Sequence, residues 1–204
     1  KRLNGLLTTF LNFARPRPPQ LQSVSVGSIL DGVIALAQHA MGRKNIHFHR
    51  QVTPGMTLIE CDPEQMTQVL LNLVINATEA SESGATVTLS ADQTDEGVQI
   101  RVTDEGCGVP PEDIDKLFNP FFTTKESGTG LGLSIVRELC RLLGGDVSLE
   151  SELGKGSTFT IRLPWRLEEM PRFDAQLRED LDTLTRTTRL PEIAGLTVQS
   201  VESQ

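Results

Sequence analysis

The sequence has no tyrosine, one tryptophan and only 4% aromatic residues. Its core must therefore be mostly aliphatic, and 38% apolar residues over 204 positions suffice for one well-packed domain with appendages. Cysteine is scarce as well. Cys61, Cys107 and Cys140 follow neither a metal-ligand spacing nor a CxxC pattern, which fits a reducing compartment. Positive charge is in deficit, since 19 basic against 27 acidic residues give a net charge of -8. That argues against a broad basic surface for DNA or RNA but leaves room for a local phosphate site. No apolar run approaches the roughly 20 residues that cross a bilayer. No signal peptide opens the chain. The first residue is Lys1 and the opening stretch already reads as helix, so a piece of a longer protein is expected, with its parent's membrane topology left open.

What is present is periodic. Leu3, Leu6, Leu7, Phe10, Leu11 and Ala14 share one helical face. So short a helix is marginal alone and calls for a partner, and the prolines of ARPRPP stop it. Pro16 to Ser25 reads as a connector. SVGSILDGVIALAQHAMGRKN predicts a helix with Ile29, Val33, Leu36, Ala37 and Ala40 inside and Gly42 at its end. IHFHRQV alternates as a strand, and TLIECD is a short extended piece. Asp62 as N-cap and Pro63 as first residue open a largely buried helix, with Met66, Val69, Leu70, Leu73, Ile75 and Ala77 inward. ATVTLSAD and GVQIRVTD pair as a hairpin, LGLSIVRELCRLLGG is a helix ended by glycines, and DVSLESELGKGSTFTIRLP is a second hairpin. The pattern is lost after Trp165, beyond which MPRFDAQLREDLDTLTRTTRL reads as a charged helix in a tail. This order predicts an α/β fold with helices stacked on one face of a mixed, mainly antiparallel sheet.

Four stretches carry chemistry. In GTGLGLSIV, Gly128, Gly130 and Gly132 precede a helix whose first amides are unpaired, an arrangement that can close on a polyphosphate. The stretch is neither a P-loop nor a dinucleotide fingerprint, and a tight turn explains the glycines as well. In DEGCGVP, Asp104 ends a strand and can accept a hydrogen bond from an exocyclic amine such as that of adenine. Gly106 and Gly108 beside it leave a wall open to a flat ring, though an ordinary turn fits equally. In NLVINATEA, Asn72 and Asn76 point from one helical face, and a carboxamide oxygen suits a hard cation such as Mg²⁺. Glu79 lies three residues further, at the rim of such a pocket or in solvent. The fourth stretch, FNPFFTTKESGTG, sits in a long irregular region from Glu105 to Gly130, a kind that is usually functional or mobile. Phe118, Phe121 and Phe122 can latch it to the core, while Thr123, Thr124 and Lys125 can donate to phosphate oxygens.

In order, NLVINATEA, DEGCGVP, FNPFFTTK, GTGLGLSIV and GKGSTFTI resemble the N, G1, F, G2 and G3 boxes of the histidine kinase catalytic domain, over roughly Val24 to Pro164. That domain shares a superfamily with Hsp90, type II topoisomerases and MutL. The resemblance implies a Bergerat-type two-layer sandwich that binds ATP and Mg²⁺. By similarity, Asn76 would hold the metal and Asn72 would support it. Asp104 would bind the adenine amine, with Gly106 and Gly108 shaping that wall. Pro110 to Gly128 would form a lid carrying Thr123, Thr124 and Lys125 over the phosphates. Gly128, Gly130, Leu131 and Gly132 would meet the phosphates at the helix start, and Gly154 and Gly156 would set the last hairpin beneath the nucleotide. LLTTFLNFARPRPP resembles the second dimerisation helix of nitrogen-regulator-type kinases.

Residues 1–19 are thus expected to end that helix, 20–167 to form the catalytic domain and 168–204 a tail or extension. The implied reaction is transfer of the ATP γ-phosphoryl to a histidine on the dimerisation hairpin, then to the aspartate of a response regulator. Asn72 and Lys125 are the expected catalytic residues. Asn72 stands where the ATP-hydrolysing cousins carry a water-activating glutamate, and an asparagine takes no proton at neutral pH, which favours transfer over hydrolysis. His39, His47 and His49 lie outside any phosphoacceptor motif, so the acceptor is expected on the hairpin, in a cytoplasmic homodimer free to carry a membrane anchor elsewhere. No nucleic acid and no direct membrane contact are expected. The competing readings are an anti-sigma-type serine/threonine kinase, a nucleotide-gated interaction module and a pseudokinase scaffold.

Overall fold

The structure is a computed structural model that describes residues 17–40, 44–56, 58–125 and 128–167. The expected helix over residues 3–14, the helix end at Gly42 and the tail after Glu168 lie outside these residues. In chain order the elements are β1 (Gln22–Val24), α1 (Val26–Ala40), β2 (His47–Val52), β3 (Ile59–Cys61), α2 (Pro63–Ala80), β4 (Thr86–Gln93), β5 (Gly97–Asp104), the single turn α3 (Pro111–Ile114), α4 (Gly132–Leu142), β6 (Asp146–Glu152) and β7 (Gly156–Pro164).

Alternation decides the faces of the main sheet. Its order is β2-β4-β5-β7-β6, with β2 parallel to β4 and every other pair antiparallel. Leu89, Val102 and Phe159 sit in register on the buried face, as do Ala91, Ile100 and Ile161 one step along. Thr88, Thr103 and Thr158 form the matching row on the outer face. The long helix α2 packs against both α1 and α4, and the three cover the buried face. The expected two-layer α/β fold with a mainly antiparallel sheet is the one observed.

Helix α2 follows its sequence signals. Asp62 Oδ1 accepts from the amides of Glu64 and Gln65 at 3.0 Å each, and Pro63 occupies the first turn. Asp62 Oδ2 also accepts from the Gln20 amide at 2.8 Å, so one buried carboxylate caps the helix and ties down the preceding segment. Gln65 Nε2 adds a bond to the Arg17 carbonyl at 2.9 Å.

Three expectations need correction. The connector Pro16 to Ser25 contains a strand, since β1 pairs antiparallel with β3 in a small separate sheet. Three residues carry too little alternation to announce it. Leu36 is not inside α1 but 51% exposed, while Ile29, Val33 and Ala37 are buried. Residues 29, 33 and 37 repeat every four positions, and Leu36 falls to the side of that row. In α2, Val74 is buried and Ile75 is not. The displaced Ile75 belongs to a different face, described next.

Candidate functional site

Two stripes run along α2. Met66, Val69, Leu70, Leu73 and Ala77 enter the core. Asn72, Ile75, Asn76 and Glu79, at spacing i, i+3, i+4 and i+7, line a cleft of about 360 Å³. Ile75 was assigned to the wrong stripe because its hydrophobicity was read without its phase. Asn72 Nδ2 is buried and finds no hydrogen-bond partner among the described residues. An unpaired buried donor facing a cleft is costly, and an acceptor arriving there would relieve that cost.

The floor comes from the end of β5. Asp104 is buried, pairs in register with Ser157 of β7, and accepts from the Gly106 amide at 2.9 Å. Burial pushes its carboxyl above the usual aspartate range, while the backbone bonds from Gly106 and Ser157 and the charge of Lys125 act in the opposite sense. A carboxylate so held is a fixed acceptor. Val109, Leu117, Phe122, Leu133 and Phe159 supply apolar lining to the same cleft, suited to a flat ring. Of these the sequence reading named only Phe122, as a latch for the loop. They come from the loop after β5, from α4 and from β7, and share no spacing.

Several of the glycines also serve close backbone packing. A Cβ at Gly106 would come within 2.7 Å of the Ala80 carbonyl, and one at Gly108 would strike the Glu152 carbonyl. Both let chain approach chain, and Gly108 lines the cleft as well. Gly156 likewise abuts the Asp104 carbonyl, and Gly106 and Gly156 do not line the cleft. Gly154 turns the last hairpin with open space around it. Gly132 lines the cleft together with Gly108, Gly128 and Gly130, and a Cβ at Gly132 would meet Asn76 Nδ2 at 3.8 Å. Leu131 is the N-cap of α4, with its side chain buried, so only its backbone can serve the site. It brings no polar cap, and the first amides of α4 remain available to an anion.

Opposite α2 lies the loop from Pro110 to Gly128. Phe118 anchors it edge-on against Phe159, with ring centroids 6.5 Å apart. Phe121 is not a latch to the core. It adopts φ 67° and is 48% exposed, while its amide bonds the Gly130 carbonyl at 2.9 Å and closes the base of the loop. Gly130 also adopts φ 67°, and a Cβ there would collide with the Phe121 backbone, so both conformation and space call for glycine. Thr123, Thr124, Lys125 and Gly128 all line the cleft. Lys125 Nζ lies 2.5 Å from Glu79 Oε2 across it, so Glu79 is at the rim rather than free in solvent. The cleft thus gathers ten of the thirteen expected site residues, lacking Gly106, Leu131 and Gly156. A broader depression of about 670 Å³ lies at the other end of β5, between the turn at Thr94–Gly97 and Gly144, and gathers none of them.

Residues 61–167 match the family described as histidine kinase-, DNA gyrase B- and HSP90-like ATPases. The sensor histidine kinase ZraS of Escherichia coli K12 is 36% identical over 163 residues, 80% of this chain and 35% of that protein. The chain thus spans about a third of the length of that relative. Full-length ShkA in complex with AMPPNP superposes with a TM-score of 0.75 at 31% identity, covering 86% of this chain and 38% of that one. Histidine kinase ThkA in complex with the response regulator TrrA gives 0.69 at 27% identity, covering 80% and 47%.

Proposed function

Since this chain belongs to the histidine kinase-, DNA gyrase B- and HSP90-like ATPase family, we propose that it is the ATP-binding catalytic domain of a sensor histidine kinase. It would transfer the γ-phosphoryl group of ATP to a histidine nitrogen on a dimerisation hairpin. The observation that carries this reading is the convergence of Asp104, Asn72, Asn76 and Lys125 on one cleft. Its lining combines apolar side chains and a buried acceptor, as an adenine requires, with carboxamides, hydroxyls, an ammonium and a helix N-terminus, as phosphates require. The AMPPNP held by the similar ShkA supports the same occupant.

The residues also fit Mg²⁺. Among the described residues no group of three or more His, Cys, Asp or Glu converges. An ion here would rely on Asn76 Oδ1 with phosphate and water oxygens, the ligand set Mg²⁺ prefers. Bound there, Mg²⁺ would neutralise phosphate charge. Asn72, with no capacity to take a proton at neutral pH, would orient the phosphates without activating water. Lys125 and the first amides of α4 would stabilise charge on the transferred group, and the loop over the cleft would exclude water. A neutral imidazole is already nucleophilic, so positioning does most of the work. The phosphoryl–oxygen bond to ADP breaks as the phosphorus–nitrogen bond forms.

No histidine lines the cleft, so the acceptor would come from elsewhere in the parent, with residues 1–19 ending its second hairpin helix and a homodimer as the assembly. The similarity to ThkA bound to TrrA supports a response regulator as the next acceptor, and a cytoplasmic setting goes with this reading. Among the described residues no helix is long and apolar enough to cross a membrane. The test is to incubate the parent protein with γ-labelled ATP and Mg²⁺. A label stable in base and lost in acid is expected. An acid-stable label would favour a serine/threonine kinase, and nucleotide binding without label would favour a gated module or scaffold.

A further inference from the structure

Glu79 is the pocket residue the proposed reaction leaves unused. It sits on the stripe that carries Asn72 and Asn76, and its place is well fixed. Lys44 Nζ donates to the Thr78 carbonyl at 2.6 Å and to the Glu79 carbonyl at 3.2 Å, pinning the last turn of α2. Among the described residues lining the cleft, Lys125 is the one cation, and Glu79 and Asp104 are the carboxylates. Asp104 is buried at the floor and committed to backbone amides. Glu79 is therefore the anion that engages the lysine in the structure. The tip of the loop has its own local bonds, from the Lys125 amide to Thr123 Oγ1 and from the Gly128 amide to the Lys125 carbonyl, both 3.1 Å. These two amides therefore report how firmly the tip is held.

We propose that Glu79 is a placeholder for nucleotide phosphate: it holds Lys125 and the loop tip across the cleft, and surrenders the lysine when a polyphosphate enters. The inference rests on the nucleotide reading above. A pair 42% and 46% exposed is weak, so it is exchangeable. A polyphosphate brings several negative charges to the same ammonium and is repelled by the carboxylate it displaces. Glu79 thereby sets a threshold. It favours ligands with enough phosphate charge to win Lys125, and it opposes adenosine not at all.

The test measures two things on the full chain and on Glu79→Gln. The first is hydrogen exchange of the Lys125 and Gly128 amides without nucleotide. The second is the affinity for adenosine, ADP and ATP with Mg²⁺. The expected result is faster exchange in Glu79→Gln, with affinity for ATP raised about threefold, for ADP less, and for adenosine unchanged. The reversed pair, Glu79→Lys with Lys125→Glu, should restore slow exchange. Unchanged exchange, unchanged ATP affinity, or weaker ATP binding in Glu79→Gln each overturns the proposal, the last because it would make Glu79 a nucleotide ligand. The nucleotide reading fails separately, as no binding of any of the three ligands by either protein, and this inference then falls with it.

Discussion

The wall that α2 contributes to the cleft is held at both ends, whereas the loop facing it is closed at its base and, among the described residues, tied across the cleft at its tip by a half-exposed ion pair. Asp62 caps the start of α2 and Lys44 its end, with an apolar stripe in the core between them. Among the described residues the loop has Phe118 against Phe159 and Arg137, the Phe121–Gly130 bond, local turns and the Glu79–Lys125 contact. Helix geometry fixes the positions of Asn72 and Asn76 to within side-chain rotation. The positions of Thr123 to Lys125 depend on what Lys125 touches. Affinity should reside in the helix wall and the β5 floor, and control in the loop.

Substitutions that break this division come first. Asp104→Ala should cut adenosine-nucleotide affinity by ~1–3 kcal/mol, the cost of a lost buried acceptor, with guanosine nucleotides much less affected by titration calorimetry. Asn76→Ala should weaken Mg-nucleotide binding about tenfold while leaving metal-free nucleotide binding nearly intact. Equal losses would remove the metal role. Asp62→Ala should lower stability by ~1 kcal/mol through the lost cap, read as a lower midpoint in denaturant, with thermal unfolding shifted in the same direction. Lys125→Ala should have the smallest effect on ADP affinity, about threefold or less, yet should damage phosphoryl transfer more.

Acidification sharpens the same comparison. The Asp104 carboxyl is raised by burial, so it protonates above the usual aspartate range as pH falls. Nucleotide affinity should decline there, since the acceptor is lost. Stability should move the other way. A folded carboxyl with a raised pKa takes up a proton more readily than the unfolded one, so the buried-charge penalty is present above the raised value and relieved between it and the ordinary value. Asp104→Ala should abolish both trends.

The helix wall was legible in the sequence and much of the loop was not. Periodicity, the Asp62–Pro63 start and the four-residue spacing of Asn72 and Asn76 are local signals that α2 realises directly. Ile75 was misassigned because two stripes share one apolar helix. The glycine positions were visible, but their reason was not. Gly106, Gly108 and Gly156 serve backbone approaches between segments far apart in sequence, which no local pattern encodes. The partners of Lys125 and Phe121 depend on tertiary placement in the same way.

The most direct measurement of the central claim is titration of the protein with ADP and with GDP in the presence of Mg²⁺. The account predicts saturable binding of ADP and markedly weaker binding of GDP, with the difference lost in Asp104→Ala. Equal binding of the two by the unaltered protein, or no binding of either, would contradict it.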